Sequence, residues 1–164
     1  MNQMSNYILI VLFTGLAIWQ GVGYFRTKGK ITIYDKLWSG TRILFVAAAI
    51  IGAATLLVYT GPIEFIRILT MLLCVVSYLL CRDGVGDEGV CVNGSFYPYG
   101  IVRAYDFQQE KKSFFAVFTV NDPGASKGGN YNININFDLK DEEAVKALLK
   151  KRIGKKYTRM KVKK

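Results

Sequence analysis

The sequence predicts a membrane protein with a small water-facing α+β domain: three transmembrane helices, then a five-stranded antiparallel sheet capped by one C-terminal helix. The 164-residue chain is 51% hydrophobic and only 21% charged, yet its formal net charge is +10. The apolar residues are concentrated in the first half, whereas sixteen of the 22 Lys and Arg residues lie from Arg82 onward. We therefore expect a membrane part at 1–82, a cytoplasmic domain at 84–154 and a basic tail at 155–164.

Three apolar segments make up the predicted membrane part. They cover 7–25, 43–59 and 63–81, and the first two carry no charge. A helix over the first segment is about 28 Å long, close to the thickness of the hydrocarbon layer. The rest of the chain is too short to enclose three such segments as a soluble core. The first segment is expected to be a retained span rather than a signal peptide, because residues 1–6 contain no Lys or Arg.

Two charged residues interrupt the third segment. Glu64 and Arg67 stand three positions apart near its beginning, so they share a helix face. One interpretation is an intramembrane ion pair whose charged ends reach the headgroups of the nearer interface. The alternative is a functional polar site within the membrane, and we favour the ion pair.

The positions of Lys and Arg predict the orientation. The loop at 26–42 contains five of them, the connection at 60–62 contains none, and Arg82 and the basic tail follow the third segment. With three spans, all the connections that are rich in Lys and Arg fall on the same side of the membrane, and that side is expected to be the cytoplasmic one. We expect a multi-pass protein of the cell membrane with its N-terminus outside and its C-terminus in the cytoplasm. The apolar residues of the loop also predict a short amphipathic piece on the membrane surface: Ile31, Ile33, Leu37 and Trp38.

Small residues recur at four-residue spacing in the second segment. Ala48 with Gly52 is one such pair, and Ala49 with Ala53 is another. Small residues let a second helix approach closely, either within the three-helix unit or in an oligomer. We favour the contact within the unit.

The residues beyond 84 alternate with a period of two and contain turn signals. Strands are predicted at 89–97, as a hairpin around Asn93-Gly94, and at 102–108, 113–120 and 131–137. A helix is predicted over 141–154, with Asp141 as its N-cap and an apolar stripe on the face of Val145 and Leu149. Strands followed by one amphipathic helix are typical of a reduced pleckstrin-homology-like (PH-like) module.

One run of the predicted domain resembles a known family. In 89–107, a glycine and an apolar residue precede the Asn-Gly turn, and five residues then follow at fixed spacing: Pro98, Tyr99, Val102, Tyr105 and Phe107. This pattern resembles an uncharacterised family of small bacterial membrane proteins with N-terminal spans and a C-terminal β-rich domain of unknown function. Tyr99 and Phe107 stand where that family usually has Trp. The resemblance implies an architecture and transfers no catalytic or ligand-binding residue.

Several kinds of chemistry are not expected. The chain has no histidine, which excludes Ser-His and Cys-His nucleophile pairs and imidazole metal ligands. The three cysteines form no C-x-x-C pair and are expected to be free thiols. Asp83, Asp87 and Glu88 do not follow the spacing of a calcium loop. We therefore predict a non-enzymatic protein with no catalytic residue, no cofactor and no metal site.

The basic tail predicts contact with an anionic membrane surface, and its alternative is a solvated tail that enforces orientation. The residues concerned are Lys155, Lys156, Arg159, Lys161, Lys163 and Lys164. The predicted function is a membrane-anchored interaction or regulatory protein whose PH-like domain binds a protein partner or the lipid surface. A protein partner or a homo-oligomer is expected, and nucleic acid is not. Alternatives are an oligomeric, holin-like pore or transport component and an immunity protein.

Overall fold

The computed structural model describes residues 3–58, 61–110, 113–122 and 129–159. The chain divides into two compact units, one made of Met1–Arg26 and Leu37–Cys81 and the other of Thr27–Lys36 and Arg82–Lys164. We call the described residues of the second unit the β-rich domain. It includes the loop between the first two helices, which the sequence analysis had assigned to the membrane part at 1–82.

Three helices form the first unit: α1 (Gln3–Thr27), α2 (Gly40–Thr55) and α3 (Pro62–Leu80). The described part of each predicted apolar segment is therefore largely helical, although residues 56–58 of the second segment form a turn. Both α1 and α3 are long and apolar enough to cross a membrane, and only 11% and 17% of their apolar stretches are buried within the protein. With 16 residues, α2 is shorter than the 18 residues required of a candidate membrane-spanning helix. The structure thus matches two of the three expected spans by length and composition.

Side-chain contacts define the directions of these helices. Asn6, near the start of α1, contacts residues in the first two turns of α3, and Gln20, further along α1, lies 3.9 Å from the sulfur of Cys74. α1 and α3 therefore run parallel. The ring of Phe45 lies 4.7 Å from that of Tyr78 near the other end of α3, so α2 runs antiparallel to α3.

Gly52 lies where α2 and α3 approach each other closely. A β-carbon at this position would collide with the terminal methyl group of Met71. This contact lies within one chain, as the favoured interpretation of the small residues in α2 requires.

The β-rich domain contains two antiparallel sheets. The four-stranded sheet has the order β1 (Ile33–Tyr34), β2 (Gly84–Val85), β3 (Gly89–Val92) and β4 (Ser95–Pro98). The three-stranded sheet has the order β5 (Val102–Glu110), β6 (Ser113–Asp122) and β7 (Gly129–Phe137). The prediction of one five-stranded sheet was wrong, because the described strands separate into two sheets and include two that the sequence analysis did not identify.

Those two strands, β1 and β2, are each two residues long and pair with each other. Ile33 lies opposite Val85, and Tyr34 lies opposite Gly84. The backbone N–H of Thr32 extends the pairing by donating to the carbonyl of Val85 at 2.9 Å. The prediction of a membrane-surface piece is wrong for Ile33, which packs against the core of the β-rich domain.

Three local predictions for this domain are confirmed: the hairpin turn, the alternation along β7 and the C-terminal helix. Asn93 and Gly94 have positive φ values of 51° and 73°, as the two-residue hairpin turn between β3 and β4 requires. β7 buries Ile133, Ile135 and Phe137 and leaves the intervening asparagines more exposed. α4 (Glu142–Ile153) begins after Asp141 and closes the core with its fully buried Val145 and Leu149.

Candidate functional site

A polar cluster lies at the start of α1 and α3. The side-chain nitrogen of Asn6 donates to Oε1 of Glu64 at 3.3 Å, and Nη1 of Arg67 donates to Oδ1 of Asn6 at 2.8 Å. Asn6 is only 1% exposed. An amide can donate to a carboxylate and accept from a guanidinium at once, so this residue joins the two predicted charges. The direct Glu64–Arg67 ion pair stays a prediction.

Sequence analysis missed Asn6 because it stands one position before the first uncharged segment. A polar side chain beside an apolar run is usually solvated, and its partners lie almost sixty residues away in the chain. The sequence did contain one signal: Asn6 stands just before the first apolar segment, and Glu64 and Arg67 stand near the start of the third.

Arg82 holds the loop at 27–36 in the β-rich domain. Its Nε donates to Oδ1 of Asp35 at 3.2 Å, and its Nη2 donates to the carbonyl oxygen of Asp35. The guanidinium also lies over the ring of Tyr34, 4.8 Å from its centre. From the sequence, Arg82 was expected only to contribute positive charge on the cytoplasmic side. In the structure it contacts Tyr34 of β1 and Asp35, the residue after β1.

Two of the acidic residues excluded as metal ligands have structural contacts. Oδ1 of Asp83 accepts the backbone N–H of Asn93 at 2.7 Å and so supports the hairpin turn. Oδ1 of Asp87 accepts from Nη2 and Nε of Arg152 at 2.7 and 3.2 Å. Within the described part of the chain, no group of three or more His, Cys, Asp or Glu residues is arranged to hold a metal ion.

A basic surface surrounds the end of α4. The last turn of this helix and the 3₁₀ turn Gly154–Lys156 line an open depression of about 570 Å³, formed by residues 150–156. Five of these seven residues are basic: Lys150, Lys151, Arg152, Lys155 and Lys156. We call residues 150–156 the basic turn. Of these five residues, only Lys155 and Lys156 were predicted from the sequence to contact lipid.

Two cations of the basic turn attach it to the rest of the domain. Nζ of Lys156 donates to the carbonyl oxygens of Tyr99 and Val102, both at 2.7 Å. Arg152 is paired with Asp87. Lys150, Lys151 and Lys155 are exposed, as is Arg152.

The chain continues from the basic turn along the edge of β5. Tyr157 forms a parallel bridge with Tyr105, and the N–H of Thr158 donates to the carbonyl of Tyr105 at 3.0 Å. The ring of Tyr157 also stacks on Phe107 with 6.0 Å between ring centres. The ordered domain therefore extends past the predicted boundary at 154. Arg159 is exposed, while Lys161, Lys163 and Lys164 lie outside the described residues, so their predicted lipid contact stays a prediction.

Two tyrosines of the domain have raised pKa values. Burial raises the pKa of Tyr99 above its ordinary value, and the negative charge of Asp87 adds to the effect. The Tyr99 hydroxyl donates to the carbonyl of Gly86 at 2.7 Å. Burial also raises the pKa of Tyr105, with a smaller contribution from Tyr157. Both of these residues belong to the motif that carries the family resemblance, and both lie in the core.

A comparison with protein families finds a match for most of the β-rich domain. Residues 81–154 match the family model for a domain of unknown function, DUF5673. This part of the chain is therefore similar to that domain. The match begins at the end of α3 and ends at Gly154, so β1 and residues 155–159 lie outside it. No curated protein and no solved structure matches the chain.

Proposed function

We propose that this chain is a membrane-anchored, non-enzymatic interaction protein whose β-rich domain is a PH-like binding module on the cytoplasmic side. The observation that carries this proposal is the pairing of β1, from the loop between α1 and α2, with β2, which follows α3. The module is thereby built from two segments of the chain, one between α1 and α2 and one after α3, and the chain passes between it and the helices at three places.

The arrangement of secondary structure supports the PH-like assignment. A four-stranded antiparallel sheet, a three-stranded antiparallel sheet and one C-terminal helix enclose a single apolar core. This is the order of strands followed by one amphipathic helix on which the expectation was based. Such a module offers sheet edges, loops and the end of its helix as contact surfaces.

The same pairing supports a topology with three spans. Segments 27–36 and 82–159 fold together, which favours a place for both on one side of the membrane. In the proposed topology, α2 leads the chain away from that side. α3, which is long enough to cross, then returns it. At roughly 24 Å, α2 is short for this role, and a thinner bilayer around it would accommodate the difference.

The parallel direction of α1 and α3 extends this topology to the N-terminus. If α3 runs from the outside to the cytoplasm, α1 does the same, and the cluster around Asn6 lies near the outer interface. Five basic residues in the loop at 26–42 agree with a cytoplasmic loop. Multi-pass insertion with an outer N-terminus is thus part of the proposal.

Purification of the full chain from native membranes in a mild detergent tests the interaction function. We expect the wild-type chain to retain a stoichiometric protein partner, a second copy of itself or bound lipid, identified by native mass spectrometry. The control Leu149→Asp places a charge in the core of the β-rich domain and should lose whatever the domain binds. A wild-type monomer with no partner and no retained lipid would contradict the proposal.

A further inference from the structure

We infer that the basic turn, residues 150–156, is a binding site for the phosphate of an anionic lipid headgroup. This inference rests on the proposed function, since it names a ligand for the membrane-anchored module. Five basic side chains line one open depression of about 570 Å³. They divide into two that hold the turn in place and three that face solvent.

The two internal contacts give the turn a fixed shape. Lys156 donates to the backbone carbonyls of Tyr99, which follows β4, and of Val102, the first residue of β5. Arg152 is paired with Asp87, which precedes β3. The turn is thus attached on both sides of the hairpin formed by β3 and β4. A site held in this way loses less conformational freedom on binding than a flexible basic tail does.

The three remaining lysines supply the positive charge. Lys150, Lys151 and Lys155 are exposed, and their side chains make no hydrogen bond or ion pair with the described residues. The C-terminus of a helix carries a partial negative charge of about half a unit, which three full positive charges exceed. Lysine ammonium groups act as point charges toward phosphate, so the depression suits a phosphate group that is not held in one rigid orientation.

Three observations favour a lipid as the source of the phosphate. β2 starts at Gly84, directly after the short segment that follows α3, and β1 starts shortly after α1 ends, so both connections are short. A tethered site meets the leaflet at a high effective concentration. Next to the basic turn, Tyr157 is 50% exposed, and aromatic residues of this kind are enriched at the membrane interface.

The first experiment uses the wild-type full chain in nanodiscs of phosphatidylcholine, with or without phosphatidylglycerol. Acetylation of individual lysines is followed by mass spectrometry. We expect Lys150, Lys151 and Lys155 to react about fivefold more slowly in the anionic discs, while the exposed Lys140 changes little. Equal rates at the three lysines in both discs would overturn the inference.

A second arm distinguishes the lipid from a soluble phosphate. Glycerol phosphate or inorganic phosphate is added to the phosphatidylcholine discs at the total concentration that phosphatidylglycerol has in the anionic discs. The inference predicts no protection by either soluble anion. Equal protection by one of them would show that the site takes a free phosphate and would overturn the assignment to lipid.

Matched variants separate the basic turn from the tail that follows it. The triple variant Lys150→Gln/Lys151→Gln/Lys155→Gln and the triple variant Lys161→Gln/Lys163→Gln/Lys164→Gln each remove three charges. Native mass spectrometry then counts the phosphatidylglycerol molecules that each variant retains. The first variant should lose the retained lipid and the second should keep it, and the reverse result would overturn the inference.

The two proposals fail in different ways. If the chain does not insert into discs of either composition, the proposed membrane anchorage fails. If it inserts and folds but its three lysines do not respond to anionic lipid, only the inference fails. Lys150, Lys151 and Lys155 are exposed, so circular dichroism of the variant that lacks them should match that of the wild type.

Discussion

At the scale of single residues, Tyr99 connects the motif of the β-rich domain to its stability. Its hydroxyl donates to the carbonyl of Gly86 from a buried position. Tyr99→Phe keeps the ring and removes this hydrogen bond, so we expect a loss of about 1 kcal/mol in the free energy of unfolding near neutral pH. Denaturant unfolding of the full chain in detergent measures this loss.

The raised pKa of Tyr99 also predicts how stability depends on pH. An unfolded tyrosine ionises near pH 10, whereas burial keeps the folded phenol protonated to higher pH. The contribution of the protonated Tyr99 phenol to the free energy of unfolding is complete below about pH 10. It is lost as the pH rises toward the folded pKa, because the unfolded state then binds fewer protons than the folded state. The wild type should therefore lose more stability than Tyr99→Phe between about pH 8 and pH 11.

The control for this pH dependence is Tyr34→Phe, which removes an exposed phenol on β1 and should leave the decline intact. An equal decline in wild type and Tyr99→Phe would show that Tyr99 does not cause it.

Asn6 gives the second prediction at this scale. Asn6→Ala removes both contacts to Glu64 and Arg67, and we expect the association of α1 with α3 to weaken by about 1 kcal/mol. Unfolding in mixed detergent measures the effect. Gln3→Ala changes an exposed polar residue on the same helix and serves as the control. Equal stability of the Asn6→Ala and Gln3→Ala variants would mean that the cluster does not stabilise the helices.

At the scale of elements, β1 is the connection that defines the β-rich domain. Thr32→Pro removes the N–H that donates to Val85, while Thr32→Ala keeps it. We expect the proline variant to lose about 1–3 kcal/mol of stability and the alanine variant to lose little. Hydrogen exchange should show faster exchange at the β2 amide of Val85 in the proline variant alone. Unchanged exchange there would contradict the pairing.

The contact of α2 with α3 can be tested with two glycines, one at the contact and one away from it. Gly52 faces Met71, whereas a β-carbon on Gly15 in α1 would meet no atom within 4 Å. A methyl group at position 52 displaces only the flexible end of Met71, but Gly52→Leu needs the helices to separate. We expect Gly52→Leu to lower the melting temperature in detergent and Gly15→Leu to leave it nearly unchanged. A similar fall in both variants would argue against a specific α2–α3 contact.

Elements with a strong local pattern could be predicted from the sequence. The alternation of Ile133, Ile135 and Phe137, the Asn93-Gly94 turn and the amphipathic α4 are all local signals, and the structure contains each of them. The side chain of Asp141 makes no capping hydrogen bond, although the sequence predicted it as the N-cap. The two-residue strands could not be predicted, because Ile33 and Val85 pair only through a contact between distant parts of the chain. The division into two sheets was missed for the same reason.

The candidate sites show the same limit. Composition identified a basic C-terminal region, but it could not tell which lysines are engaged. Lys156 binds the carbonyls of Tyr99 and Val102, and Arg152 binds Asp87. All three partners lie far from the basic turn in the sequence. The free set, Lys150, Lys151 and Lys155, becomes apparent only once these contacts are known.

At the scale of the whole molecule, the central claim is that 27–36 and 82–159 form one cytoplasmic domain and that α2 and α3 cross the membrane between them. Single cysteines at exposed positions test it directly, in a chain whose native cysteines are replaced by alanine. The positions are Gln3 and Pro62 for the outer side and Lys28 and Lys151 for the inner side. Each variant is treated in intact cells with a membrane-impermeant maleimide.

The account predicts that Gln3→Cys and Pro62→Cys are labelled in intact cells, and that Lys28→Cys and Lys151→Cys are labelled only after the membrane is opened. Labelling of Lys28→Cys and Lys151→Cys from opposite sides, or labelling of Lys151→Cys in intact cells, would contradict it.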